Sequence, residues 1–470
     1  MNLRATFLAG LLAVCGAIPV AAEPPSASAI LADFDRMAEL PLWPGFAPKT
    51  IPVAIYDGKE TWLVHHPAPP AGFVRRASGG DAVWGFPGQH PLMRANTSVD
   101  LGGTMTATLL LGPRSSYGAR EWAAVLIHET FHVFQRQHHP TWTGNEAELF
   151  LYPVDDPDLL TGRRLETEAL RRALAAPERH GAACWASRAM EQRRGRFARM
   201  PAGSVAYERG SELNEGLAAF MEDMAQDRRT PDLPADGYGP DQVRQAVYAI
   251  GPAQAALLDR FDPDWKMKID SGTAASLDQL LTRDLPLAES AGCAFTAEEK
   301  GHARGRAGED TAKLVSRRKE DRAAFFSRPG TRLVIEAGAH PLGLQGFDPL
   351  NVESLGGVEV LHKRLLQLSN DRGTIEVLNR DALSEGAGAH PLFEGVRTLT
   401  LSGLTAEPKV TRDGETVKIE AEGFTATLKG ALVDKSEANG SLVRITWPPD
   451  PPPSAGAGPP TAPGPHSSTD

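Results

Sequence analysis

The stretch "REWAAVLIHETFHVFQRQHH", Arg120 to His139, contains the pattern H-E-x-x-H as His128, Glu129, Thr130, Phe131 and His132. Apolar residues surround the pattern on most sides, which predicts a buried helix. Residues four apart on a helix share a face, with Cβ atoms about 5–6 Å apart, so His128 and His132 can reach one metal ion. Glu129 projects beside the pair, where it can take a proton from a water that the metal has made acidic. In a chain with this histidine content the pattern arises by chance with a probability of roughly two per cent. Two histidines and a glutamate buried without a metal or other partners would also be costly. The expectation is therefore one Zn2+ per chain, held in part by His128 and His132, with Glu129 as general base.

A catalytic zinc needs a third protein ligand and an open position. The candidates downstream are Glu146, Glu148, Glu166, Glu168, Glu208, Glu212, Glu215 and Glu222. A third histidine in the H-E-x-x-H-x-x-G-x-x-H manner is excluded, because Gln135 stands where the turn needs glycine and His138 where the last histidine would be.

Two further stretches bear on the choice. "LNEGLAAFMED", Leu213 to Asp223, resembles the Leu-Asn-Glu-Gly segment of the M1 aminopeptidase family, a branch of the gluzincins. "VYAIGPAQAALLDRF", Val247 to Phe261, resembles that family's Tyr-x-x-Gly helix start. The resemblance spans roughly residues 119 to 262. It implies Glu215 as third zinc ligand and Tyr248 as the phenol that stabilises an oxyanion. It further implies a zincin-like catalytic domain. The departures are plain. In the family about eighteen residues separate the second histidine from the glutamate, which would point to Leu151; here 82 residues intervene. An insertion holding two arginine-rich helices is expected to bulge out between the ligand helices. The Gly-Ala-Met-Glu-Asn segment that reads a substrate's amino terminus is missing. The nearest analogue, "SVDLGGTMTAT" from Ser98 to Thr108, offers an edge strand but no carboxylate except Asp100. Glu212 and Glu222, flanking Glu215, are either orienting partners for a ligand histidine or surface charges.

The 470 residues exceed one ordinary core, so more than one domain is expected. Residues 1–22 carry one arginine, an apolar run and a small-residue site near Ala22, the pattern of a signal peptide too short to span a membrane. Cys15 allows a lipoprotein reading, against which Val14 stands. An exported (periplasmic or secreted) protein without a transmembrane segment is expected. Export leaves Cys184 and Cys293, which either pair or stay free thiols; pairing is the expectation. The net charge of -10 and the lack of a basic run make nucleic acid an unsuitable partner.

The expected organisation is α+β. A small antiparallel sheet, with hairpins at Asp57-Gly58 and Gly102-Gly103, precedes a mostly helical region, giving a zincin-like metallopeptidase domain over 23–328. Period-two alternation predicts an all-β module over 329–447, a candidate for a cell-envelope partner. A disordered Pro-rich tail fills 448–470. The functional expectation is a zinc metallopeptidase acting on a peptide or protein. The alternatives are a zinc hydrolase of another amide or ester, and a catalytically silent gluzincin scaffold that binds a partner.

Overall fold

Turn chemistry builds the first layer. In the computed structural model Asp57 Oδ1 accepts from the backbone N–H of Lys59 and Glu60, both at 2.9 Å. This closes the hairpin between β1 (Val53–Tyr56) and β2 (Glu60–Val64). Strands β3 (Val74–Arg76) and β4 (Val83–Pro87) extend the sheet beyond β2. Gly102 and Gly103, at φ of 64° and 86°, supply the two left-handed positions that join β5 (Thr97–Leu101) to β6 (Thr104–Leu110). The sheet runs β3-β4-β2-β1-β6-β5. It is not the purely antiparallel sheet expected, because β1 and β6 pair in parallel. Four strands' worth of chain lies between them, which is enough for the crossover that parallel pairing requires. β5 is an edge strand.

The described residues are 25–76, 82–112, 116–272, 275–285, 292–348, 351–435 and 441–448. The expected signal peptide over 1–22 and all but the first residue of the Pro-rich tail lie outside them. Among the described residues, no helix is long and apolar enough to cross a membrane.

Helix α1 (Ala27–Met37) packs on α2 (Ala119–His138), and α2 in turn lies against the sheet. The Gly118 N–H at the start of α2 is capped by the Glu121 carboxylate at 3.0 Å. At its end His138 Nδ1 donates to the Phe134 carbonyl at 3.0 Å. Next come α3 (Pro157–Ala175), α4 (Arg179–Phe197) and α5 (Ala202–Ser211). A π-helical turn, Glu212–Gly216, leads directly into α6 (Leu217–Ala225). α7 (Val243–Phe261), α8 (Trp265–Asp270), α9 (Leu277–Asp284) and α10 (Ala297–Phe326) complete the helical part.

The α3–α4 pair does not bulge out as expected. Arg193 and Arg196 of α4 are fully buried, where they bind Glu166 of α3 at 2.6 and 2.7 Å. Arg193 also bonds both carboxylate oxygens of Glu212 in the π-turn, at 2.7 and 2.6 Å. Cys184 of α4 is disulfide-bonded to Cys293, just before α10.

From Thr331 to Thr446 thirteen described strands form two sheets, one of seven strands and one of six, around their own apolar core. The chain is thus α+β with a C-terminal β region. That region rests on α10, through Phe325 against Leu361 and Leu383, and on the segment 146–150, through Phe150 against Phe347 and His390.

Candidate metal centre

The periodicity of α2 places His128 and His132 on one face, with their Nε2 atoms 3.0 Å apart. The π-turn brings Glu215 Oε2 to 3.3 Å from His132 Nε2 and 3.7 Å from His128 Nε2. Donors bound tetrahedrally at about 2.0–2.1 Å lie about 3.3–3.4 Å from one another. The three observed edges scatter around that value. Among the described residues these three form a group that could hold a metal ion.

The other candidates are accounted for elsewhere. Glu166, Glu208 and Glu212 are consumed by the buried arginines. Glu168 bonds Arg171 and Arg172 on its own helix face at 2.6 Å. Glu146 lies 3.9 Å from Arg244, and Glu148 sits in the short 3-10 helix that starts at Glu146. Of the two flanking acids, Glu222 Oε2 approaches His128 Nδ1 at 3.4 Å, whereas Glu212 faces Arg193.

Gln135, noticed in the sequence only as the residue occupying a glycine position, bridges the two halves of the site. Its Nε2 donates to the carbonyls of Leu213 and Asn214 at 2.8 and 3.0 Å. Two carbonyl oxygens can face only the amide nitrogen, so Oε1 must face His132 Nδ1, 2.9 Å away. Oε1 is an acceptor, which makes Nδ1 the donor, so that a neutral His132 would carry its lone pair on Nε2, the atom 3.3 Å from Glu215. No periodicity signals this, because the carbonyls come from a turn 78 and 79 positions away.

Glu129 is buried and lines the same cavity. Burial pushes its carboxyl above the usual range; the neighbouring histidines pull it down without cancelling that effect. Burial likewise works against ionisation of Glu215, but hydrogen bonds from His128, His132 and Tyr248 overcome it and hold the carboxyl far below the ordinary range. Tyr248 reaches Glu215 from α7, and burial followed by the Glu215 charge raises its phenol. α7 approaches closely because Gly216 and Gly251 meet backbone to backbone: a Cβ on Gly251 would lie 2.7 Å from the Gly216 Cα.

The cavity in front of the three donors measures about 460 Å³. Its wall includes Asn96 and Thr97 at the start of the edge strand β5, Arg136 of α2 and Arg244 of α7. Asp100, the carboxylate considered for an amine, instead accepts from Gly103 N–H at 2.6 Å in the β5–β6 turn.

No family model matches the chain, and no curated protein or solved structure matches it significantly.

Proposed function

We propose that the protein is an exported zinc metallopeptidase of zincin-like architecture, similar to the gluzincins, that hydrolyses peptide bonds. The observation that carries this reading is the donor triangle of His128, His132 and Glu215, whose edges of 3.0, 3.3 and 3.7 Å suit one tetrahedral Zn2+. Zn2+ bound there supplies Lewis acidity toward water and a substrate carbonyl.

The chain's own residues do the rest. His128 and His132 would each turn a ring nitrogen to the metal; Gln135 sets the tautomer of His132. Glu129, raised by burial and adjacent to the donors, takes a proton from the attacking water and returns it to the leaving amine. Tyr248, kept protonated by burial and by the Glu215 charge, offers its O–H to the oxyanion that develops on the carbonyl. The free edge of β5 beside the cavity lets an extended peptide pair with backbone N–H and C=O groups, which favours a peptide over a small ester. Among the described residues the cavity is open, which speaks against a silent scaffold whose groove is filled by its own chain.

The test is a pair of measurements. Purified protein should contain about one zinc per chain, lost in His132→Ala. Glu129→Gln should keep the zinc while hydrolysis of a peptide library falls by roughly 10²–10⁴-fold. Wild-type protein that takes up no zinc would sink the proposal. Cleavage of amide or ester substrates but no peptide would replace it with the non-peptidase reading.

A further inference from the structure

The whole chain carries a net charge of -10, yet the wall of the cavity does not share that sign. Its ionised side chains, apart from the histidines, are Glu129 and Glu215 on one hand and Arg136 and Arg244 on the other. The two carboxylates belong to the proposed zinc chemistry, so a bound Zn2+ would leave the cavity with two net positive charges. Each arginine stands one helical turn from a residue of the proposed centre and on its face: Arg136 follows His132 by four positions, and Arg244 precedes Tyr248 by four.

Neither cation is hydrogen-bonded to a carboxylate among the described residues, although Glu146 forms a long ion pair with Arg244. Arg136 is exposed, and its Nη1 donates to Ser98 Oγ of β5 at 2.5 Å; among the described residues no acid forms an ion pair with it. Arg244 Nη2 lies 3.5 Å from the Tyr248 hydroxyl, and its Nη1 is 3.9 Å from Glu146 Oε2, beyond hydrogen-bond range. Both guanidinium groups therefore keep donors for a ligand. Among the described residues the same wall offers no carboxylate beyond Glu129 and Glu215 that could hold a substrate's ammonium group.

We propose that Arg136 and Arg244 form a carboxylate-recognition subsite, so that the substrate is an anionic peptide gripped by a carboxylate and not by its amino terminus. The proposal rests on the metallopeptidase reading above. A planar guanidinium matches a carboxylate with two parallel N–H donors, and a positive cleft in an acidic protein concentrates anionic ligands at its mouth. The carboxylate is either the C-terminus of a short peptide or an acidic side chain; the chemistry is the same, and experiment separates the two.

The experiment uses zinc-loaded full-length protein carrying Glu129→Gln, so that bound peptide survives, and isothermal titration calorimetry. Three N-acetylated tetrapeptide series serve as probes: alanine peptides with a free C-terminus, the same peptides amidated, and amidated peptides with one internal glutamate. The expected result is at least ten-fold tighter binding of one or both carboxylate-bearing series than of the neutral amides. Adding Arg136→Gln or Arg244→Gln in that background should shrink the ratio toward one, with melting temperature and zinc content unchanged for the exposed Arg136. Equal binding of acids and amides, or a ratio that survives both substitutions, overturns this proposal and leaves the hydrolase reading standing. A protein that binds no zinc overturns both.

Discussion

Gln135 joins a histidine to the turn that supplies Glu215. Replacing it by leucine keeps much of the volume but frees His132 to adopt either tautomer and leaves two carbonyls without their donor. Partners of this kind typically carry 10–100-fold in metal affinity. Gln135→Leu should weaken zinc binding by roughly that factor in chelator competition, and unchanged affinity would refute the bridging role. Gln135→Glu separates the two bonds, since it can still accept from His132 but cannot donate to the turn. At this level the sequence was partly legible. His128, Glu129 and His132 announce themselves through helical spacing. Glu215 and Tyr248 were reachable only through short motifs; the structure brings Glu215 to the histidines and Tyr248 to Glu215. Gln135, Arg136 and Arg244 were not legible, because their meaning depends on partners remote in the chain.

Helices α3 and α4 show how local pattern misleads. Their arginine-rich sequences suggested an insertion that bulges outward, and Arg171 and Arg172 do pair with Glu168 on their own helix face. Arg193 and Arg196 instead point inward, to acids on α3, α5 and the π-turn. Neutralisation at i, i+4 is visible in a sequence; neutralisation by another helix is not. The buried network lies behind the turn that carries Glu215, through the bond from Arg193 to Glu212. Arg193→Met would strand Glu212 as a buried carboxylate without a counter-charge and leave Glu166 with Arg196 alone. The expected cost is about 3–5 kcal/mol in urea denaturation, and a loss below about 1 kcal/mol would mean the network is not coupled to stability. α7 runs unbroken from Val243 to Phe261 through the Gly251-Pro252 pair. Pro252 removes only the bond to the carbonyl of Tyr248, and the close Gly216–Gly251 contact beside it holds α7 against the ligand turn.

The assembly as a whole divides into a helical body with its mixed sheet and a β region that touches it through α10 and Phe150. The change from helical to period-two patterning near Pro329 was readable because each sheet has one buried face. The parallel pairing of β1 with β6 was not, since alternation does not encode strand direction. One titration should distinguish the β region from the rest. His362 is buried there, and burial lowers it from 6.5 to about 4. Between those values the unfolded chain binds the proton and the folded one does not, so stability present above pH 6.5 is lost as pH falls toward 4. The full swing amounts to roughly 3 kcal/mol. His362→Gln should flatten that part of the pH–stability curve of the β region, followed by hydrogen exchange, and an unchanged slope would assign it to other groups.

The bridge from Cys184 to Cys293 spans 109 positions, and Glu215 and Tyr248 lie inside the loop it closes, whereas His128, Glu129 and His132 lie outside. Oxidation therefore ties down the loop that carries half of the proposed centre, and a chain with both thiols reduced would pin the third donor less firmly. Cys184→Ser with Cys293→Ser should lose about 2–5 kcal/mol of stability and, on partial denaturation, release zinc before the histidine helix melts. Zinc release and helix loss at one and the same urea concentration would show that the bond is structural and sets no order.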